Sequence, residues 1–243
     1  MTVDEMHLQF KIGVDKTDSF NSANFTPAEI DIYLSDAQEQ FIEQRAYGNN
    51  YKRDSLEETQ QRVKNLQSLV KNATIIPLAT TADNKPYGSF VELPSDYRHA
   101  IEEEVLVNYI DCNNTTQQQR VSVVALQHDK YAKAIVNPFS KPNLNKVYRL
   151  PFGRFGNPSA EHFEIISSPG YTISAYYLRY IKNPAKINLA NRTLPVPSIG
   201  AGQQGELADE AYREIIRMAV RNALGDIESP RTQESMQRIN EIE

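Results

Sequence analysis

The sequence predicts an α+β fold: an N-terminal helical hairpin and a C-terminal helix packed with a mainly antiparallel β region, with extended arms or loops. Three observations point there. Capped segments with apolar residues at helical spacing lie towards both ends of the chain. Short runs rich in β-branched and aromatic residues fill the middle. Pro, Gly, Asn and Asp separate those runs as turns. With 243 residues, 40% of them apolar and 23% charged, the chain is long enough to bury a core and is globular in composition.

Residues 1–24 read as an N-terminal arm, and the first clear element starts at Thr26. Thr26-Pro27-Ala28-Glu29 is a capping box: Thr26 caps, Pro27 suits the first helical position, and Glu29 reaches back to the cap. Phe25 and Ile30 are spaced as a hydrophobic staple, and Ile30, Leu34, Ala37 and Phe41 line one face of a helix over about 26–47. Ser55 and Glu58 repeat the capping spacing, and Val63, Leu66 and Val70 give a stripe for a second helix over about 55–71. The polar loop from Asn49 to Asp54 would join the two as a helical hairpin.

The character changes at Thr74, where a β region extends to about residue 187. Ile75 to Leu78 and Tyr87 to Leu93 read as strands, and Pro77 confines the first to an edge or a strand end. Ile101 to Ile110 alternates imperfectly and fits helix or strand. Arg120 to Gln127 is a clearer strand. A short helix follows from Asp129 to Val136, stopped by Asn137-Pro138. Val147 to Leu150, Phe163 to Ile166 and Thr172 to Ile181 complete the strands. Asn188 to Gly205, rich in Pro, Gly and Gln, is a loop or an arm. The last long helix covers about 207–224, with Leu207, Ala211, Ile215 and Ala223 on its apolar face and Gly225 as its cap. Residues 25–225 thus read as one domain. In the tail, 226–243, Met236, Ile239 and Ile242 make a seam too thin to hold an isolated helix, so it is expected to order against a partner.

Charge and chemistry narrow the function. A net charge of −5 without a basic run argues against tight nucleic-acid binding, which draws its affinity from phosphate neutralisation. The single cysteine, Cys112, allows no intrachain disulfide. The N-terminus lacks a signal-peptide pattern, and no stretch approaches the roughly 20 apolar residues that cross a bilayer, so a soluble protein made in the cytoplasm is expected. His7, His99, His128 and His162 show no metal-ligand spacing, and the P-loop, dinucleotide and nucleophile-elbow patterns are absent. Glu102-Glu103-Glu104 could pair carboxylates for acid–base work or a cation. Three adjacent residues do not face one way on a helix or a strand, however, so a solvated edge or interface is the better reading. No catalytic residue, cofactor or metal is expected.

Thirteen tyrosines and no tryptophan are more informative. Tyr176 and Tyr177 must face opposite sides of a strand, which leaves Tyr177 and Tyr180 either in a strand covered on both sides or as interface candidates beside Met236, Ile239 and Ile242.

Phe25-Thr26-Pro27-Ala28-Glu29-Ile30 leading into Tyr33-Leu34, Leu93-Pro94-Ser95-Asp96-Tyr97, Asn137-Pro138-Phe139-Ser140-Lys141-Pro142, Tyr177 to Pro184 and Glu214-Ile215-Ile216 occur in an order that resembles the head-to-tail adaptor and tail-ring proteins of short-tailed phages. The ring proteins of crAss-like phages are the nearest likeness, over roughly residues 25–225. The resemblance implies a structural virion protein in the neck or tail, in a closed ring of about twelve copies with heterologous interfaces. It implies portal or neighbouring ring proteins as partners, a lumen through which DNA passes without specific binding, and no catalytic residues. No portal-docking signature is matched, which leaves the ring's place in the stack open. Two other classes compete: a tail module that recognises a cell-surface glycan, against which the lack of Trp counts, and a hydrolase, for which no carboxylate pair converges.

Overall fold

The computed structural model describes residues 1–15, 25–46, 64–78, 85–153, 160–189 and 205–228. In chain order its elements are α1 (Val3–Asp15), α2 (Pro27–Ala46), β1 (Val70–Ile75), β2 (Gly88–Glu92), β3 (Tyr97–Ile110), β4 (Thr116–Ala125), α3 (His128–Val136), β5 (Lys146–Pro151), β6 (His162–Ile166), β7 (Thr172–Lys182) and α4 (Asp209–Glu228). They fall into two compact units. A helical unit gathers both ends of the chain, Met1–Leu69 and Pro184–Glu243, and a β unit spans Val70–Asn183.

In the helical unit the expected capping box is formed. Glu29 Oε2 accepts the Thr26 backbone N–H at 2.7 Å and its hydroxyl at 2.9 Å, while Thr26 Oγ1 accepts the Glu29 N–H at 3.4 Å. The Thr26 backbone and side-chain bonds hold the Glu29 carboxyl below its usual range. A second capping box, Thr2 with Glu5, starts α1. Residues 1–24 were expected to be an arm. Instead, residues 3–15 form a helix that buries Val3, Met6, Phe10 and Val14 along one stripe. Phe25 packs edge-on against both Phe10 and Tyr33.

Helix α4 packs against α1 and α2 and buries Ala211, Tyr212, Ile215, Ile216, Ala219 and Ala223. At the α1 crossing, a Cβ on Gly13 would sit 2.8 Å from Val220 Cγ2, so the glycine sets how close the helices come. Gly225 does not end α4, which continues to Glu228. The Tyr33 hydroxyl donates to Asp226 Oδ2 at 3.1 Å and ties that last turn to α2, against a cost of about 1 kcal/mol for an interior glycine.

Several polar groups inside the unit are paired. His7 Nε2 lies 2.8 Å from Asp31 Oδ1, and Asp31 also accepts the Leu189 N–H. Ser35 donates to Ile187 O and Gln38 to Ala185 O, so one face of α2 holds the backbone of 185–189.

The second helix expected at 55–71 is described only at its end. Residues 64–66 are helical and Gln67–Leu69 is a 3-10 turn, while the remainder lies outside the described residues. Its expected end is corrected: Val70 and Lys71 belong to β1, paired with Ile181 and Tyr180 of β7. Long-range pairing outweighs the helical spacing of Val70.

The β unit is one seven-stranded sheet in the order β1-β7-β3-β4-β5-β6-β2. Every pairing is antiparallel except β4 with β5, which is parallel and joined by the crossover α3. The ambiguous segment 101–110 is strand, bonded on both sides, because β3 lies between β4 and β7. β1 is an edge, with Pro77 beyond its end. All seven strands send side chains into one core that includes Val91, Val105, Val121, Val147, Ile165 and Tyr176, so the sheet curls around it. On the opposite face of β5 and β6, Tyr148, Leu150 and Ile166 pack under Ala134, Tyr131 and Ile135 of α3.

Candidate assembly surfaces

The strand period sorts the residues of the β unit into two chemistries. Along β7, Tyr176, Leu178 and Tyr180 face the core, while Tyr177 and Arg179 face out. Tyr180, an expected interface candidate, is 3% exposed and donates its hydroxyl to Asp96 Oδ1 at 2.7 Å. Burial and that bond push its pKa up to about 12. It is therefore a core residue of this unit. Tyr177 is half-buried on the outer face, with the Arg120 guanidinium 4.4 Å above its ring. Met236, Ile239 and Ile242 lie outside the described residues.

The three adjacent glutamates diverge. Glu102 pairs with Arg179 at 2.9 Å, Glu103 with Arg149 at 3.1 Å and Glu104 with Arg120 at 3.2 Å. No two of them share a partner, and Glu102 and Glu104 are solvated as expected, whereas the Glu103 side chain, at 10% exposed, is largely buried, against the solvated-edge reading.

Glu102 and Glu104 lie on the outer face with Tyr177 and with Arg179, whose Nε donates to Asn72 at 3.1 Å. Exposed pairs of this kind contribute about 0–1 kcal/mol each, so this face adds little to the fold. Tyr and Arg are, however, the residue types that dominate protein interfaces. Glu103 and Arg149 are largely buried, on the core side of β3 and β5. The Tyr176 hydroxyl donates to Glu103 Oε2 at 2.9 Å, and the Arg149 guanidinium lies 4.3 Å from the Phe163 ring. Burial pushes the Glu103 carboxyl up, opposed by Arg149 and the Tyr176 bond. The same burial and the Glu103 charge raise the Tyr176 phenol well above its ordinary value.

Other possible chemistry is dispersed. No group of three or more His, Cys, Asp and Glu side chains suited to a metal ion occurs among the described residues, and no helix among them is long and apolar enough to cross a membrane. Cys112 is exposed at the β3–β4 turn.

One surface passed over by the sequence reading is the loop between α3 and β5. Phe139 is 92% exposed and Val136 82%, on a turn fixed by the Phe139 N–H bond to Asn137 Oδ1 at 3.0 Å. Its signal was present in Asn137-Pro138-Phe139-Ser140-Lys141-Pro142, an aromatic residue between two prolines in an otherwise polar stretch.

Comparison with known proteins gives the site its context. The family described as phage tail ring protein 3/4 matches residues 1–235. A protein named ring protein 4/5 of Bacteroides phage crAss001 is 24% identical, covering 90% of this chain and 91% of its own length. Ring protein 3 of the same phage is 28% identical, covering 84% of this chain and 89% of its own. The chain belongs to the phage tail ring protein 3/4 family.

Proposed function

We propose that this chain is a non-enzymatic structural protein that closes with copies of itself into a ring in the neck or tail of the virion. The ring has about twelve copies, each contact pairing two different surfaces of the chain. It connects the portal or neighbouring ring proteins to the rest of the tail and forms a conduit for the genome. The observation that carries this reading is the match of nearly the whole chain to proteins named for their rings. The dispersed titratable groups support the non-enzymatic part.

Charge supports the conduit. At −5 per chain, a dodecamer carries about sixty net negative charges, so DNA traverses the lumen without adhering to it. Tyr177 with its arginine neighbours, the tail residues Met236, Ile239 and Ile242, and the loop over 188–205 are the segments assigned to neighbours in the stack. The two ends of that loop are held together, since the Ala185 N–H donates to Glu206 Oε2 at 3.2 Å.

Electron cryomicroscopy of intact virions tests the assignment. The expected result is a closed ring of this chain around the axial channel of the neck or tail. Density for the chain only in a peripheral appendage, off that axis, would remove the conduit reading.

A further inference from the structure

A ring that closes by rotation needs two different, mutually complementary surfaces on each copy. Two surfaces of this chain meet that requirement in charge, each with an exposed apolar residue. The first is the end of α3 and the loop after it. Phe139 and Val136 stand in solvent there; Lys133, three residues before Val136 on α3, and Lys141, two residues after Phe139, are exposed as well, as are Lys130 and Asp129 near the start of α3. The loop is built rather than slack. Ser140 and Lys141 donate their N–H groups to Asn137 O at 3.0 and 2.9 Å, the Tyr148 hydroxyl donates to Ser140 O, and Lys146 Nζ donates to Phe139 O at 3.3 Å. Presenting a phenyl ring on a preorganised turn lowers the ordering cost of binding.

The second surface is the outer face of α2. Glu29, Ile32, Asp36 and Glu39 follow one another at three- and four-residue spacing, so they form a single stripe. All four are exposed, Ile32 at 58%, and the exposed residues of α2 include no lysine or arginine. This is an acidic stripe with an apolar centre, opposite in charge to the first surface.

We propose that the α3–β5 loop of one copy docks on the α2 stripe of the next copy. Phe139 is the apolar anchor against Ile32, and Lys133 and Lys141 face Asp36 and Glu39. This inference rests on the ring reading and names the contact that reading leaves open. Buried aromatic anchors ringed by charged side chains are where interface energy concentrates. Opposed charges set the orientation of approach and reject a loop-to-loop pairing.

Charge reversal tests it, read as assembled mass over a concentration series in low salt. Lys133→Glu/Lys141→Glu puts acid against acid and is expected to remain unassembled where the wild-type chain assembles. Asp36→Lys/Glu39→Lys puts base against base and is expected to do the same. Mixed one to one, the two variants present one matched native contact and one matched reversed contact, so an alternating ring is expected to return. Phe139→Ala is expected to raise the concentration at half assembly about tenfold or more. All these positions are exposed, and recovery in the mixture shows that both variants are folded. Assembly of either double variant alone at the wild-type concentration overturns the proposed contact but leaves the ring reading standing, as does failure of the mixture to assemble. A wild-type chain that never assembles removes the ring reading and this contact with it.

Discussion

Replacing Arg149 with methionine perturbs a largely buried ion pair of the β unit while keeping most of the side-chain volume. The Arg149 and Glu103 side chains are 18% and 10% exposed and lie 3.1 Å apart, so little solvent is available to replace the lost partner. Removing one member of a buried pair costs about 3–5 kcal/mol, because the remaining charge is left uncompensated. The Arg149→Met chain also loses the cation–π contact with Phe163, worth about 1–2 kcal/mol where desolvated, and keeps the Tyr176 bond to Glu103. A methionine in the same space returns part of this through apolar contact, which places the net loss at about 3 kcal/mol at neutral pH. The sign of the pH dependence follows from Glu103. Burial already raises its carboxyl, and loss of Arg149 raises it further. The deficit is therefore full above the folded pKa and shrinks as pH falls through it and the carboxyl protonates. Urea unfolding of Arg149→Met, Glu103→Gln and the double variant closes a cycle, and the double variant is expected to be more stable than Arg149→Met alone. A loss below about 1 kcal/mol for Arg149→Met, or a double variant at least as unstable, would mean that Glu103 is not left as an uncompensated buried charge.

Thr26→Ala removes the side-chain acceptor at the start of α2 and the hydroxyl bond to Glu29, which keeps its bond from the backbone N–H, with an expected loss of about 1 kcal/mol in urea unfolding. Burial opposes the charge of Asp96, but hydrogen bonds from Lys71 at 2.6 Å and Tyr180 outweigh it and hold its carboxyl below the usual range. Its contribution is therefore present above about pH 4 and lost as pH falls through the lower folded value, so the gap in unfolding midpoint between wild type and Asp96→Asn is expected to close in acid. Truncation after Glu228 is expected to leave the described fold intact, judged by unfolding midpoint, and to impair assembly; unimpaired assembly takes the tail out of the interface.

Local signals carried much of the fold. Thr26 and Glu29 marked a helix start because a capping box is complete within four residues, and the alternation in 172–182 sorted Tyr176 from Tyr177 because a strand has period two. The three glutamates were rejected as a pair by the same geometry, and each has its own arginine. The same kind of signal at Thr2 and Glu5, with Val3, Met6, Phe10 and Val14 behind it, was legible but passed over. Other features lay beyond any window. Val70 fits a helical stripe as well as a ladder, and only its pairing with Ile181 decides between them. The parallel β4–β5 pair depends on which strand α3 returns to, and Gly225 stays helical through a bond between Tyr33 and Asp226, 193 residues apart. Of the candidate contacts, Tyr180 was assigned outwards from composition although its strand parity matches Tyr176. The exposure of Phe139 follows from the loop that holds it, which no spacing rule describes.

Self-assembly into a closed ring is read from the mass of the purified chain by light scattering across a concentration series, with electron microscopy of the largest species. The expected result is a discrete species of about twelve copies that appears as a ring with a central opening. A monomer at every concentration, or an open-ended series of sizes without closure, would contradict it.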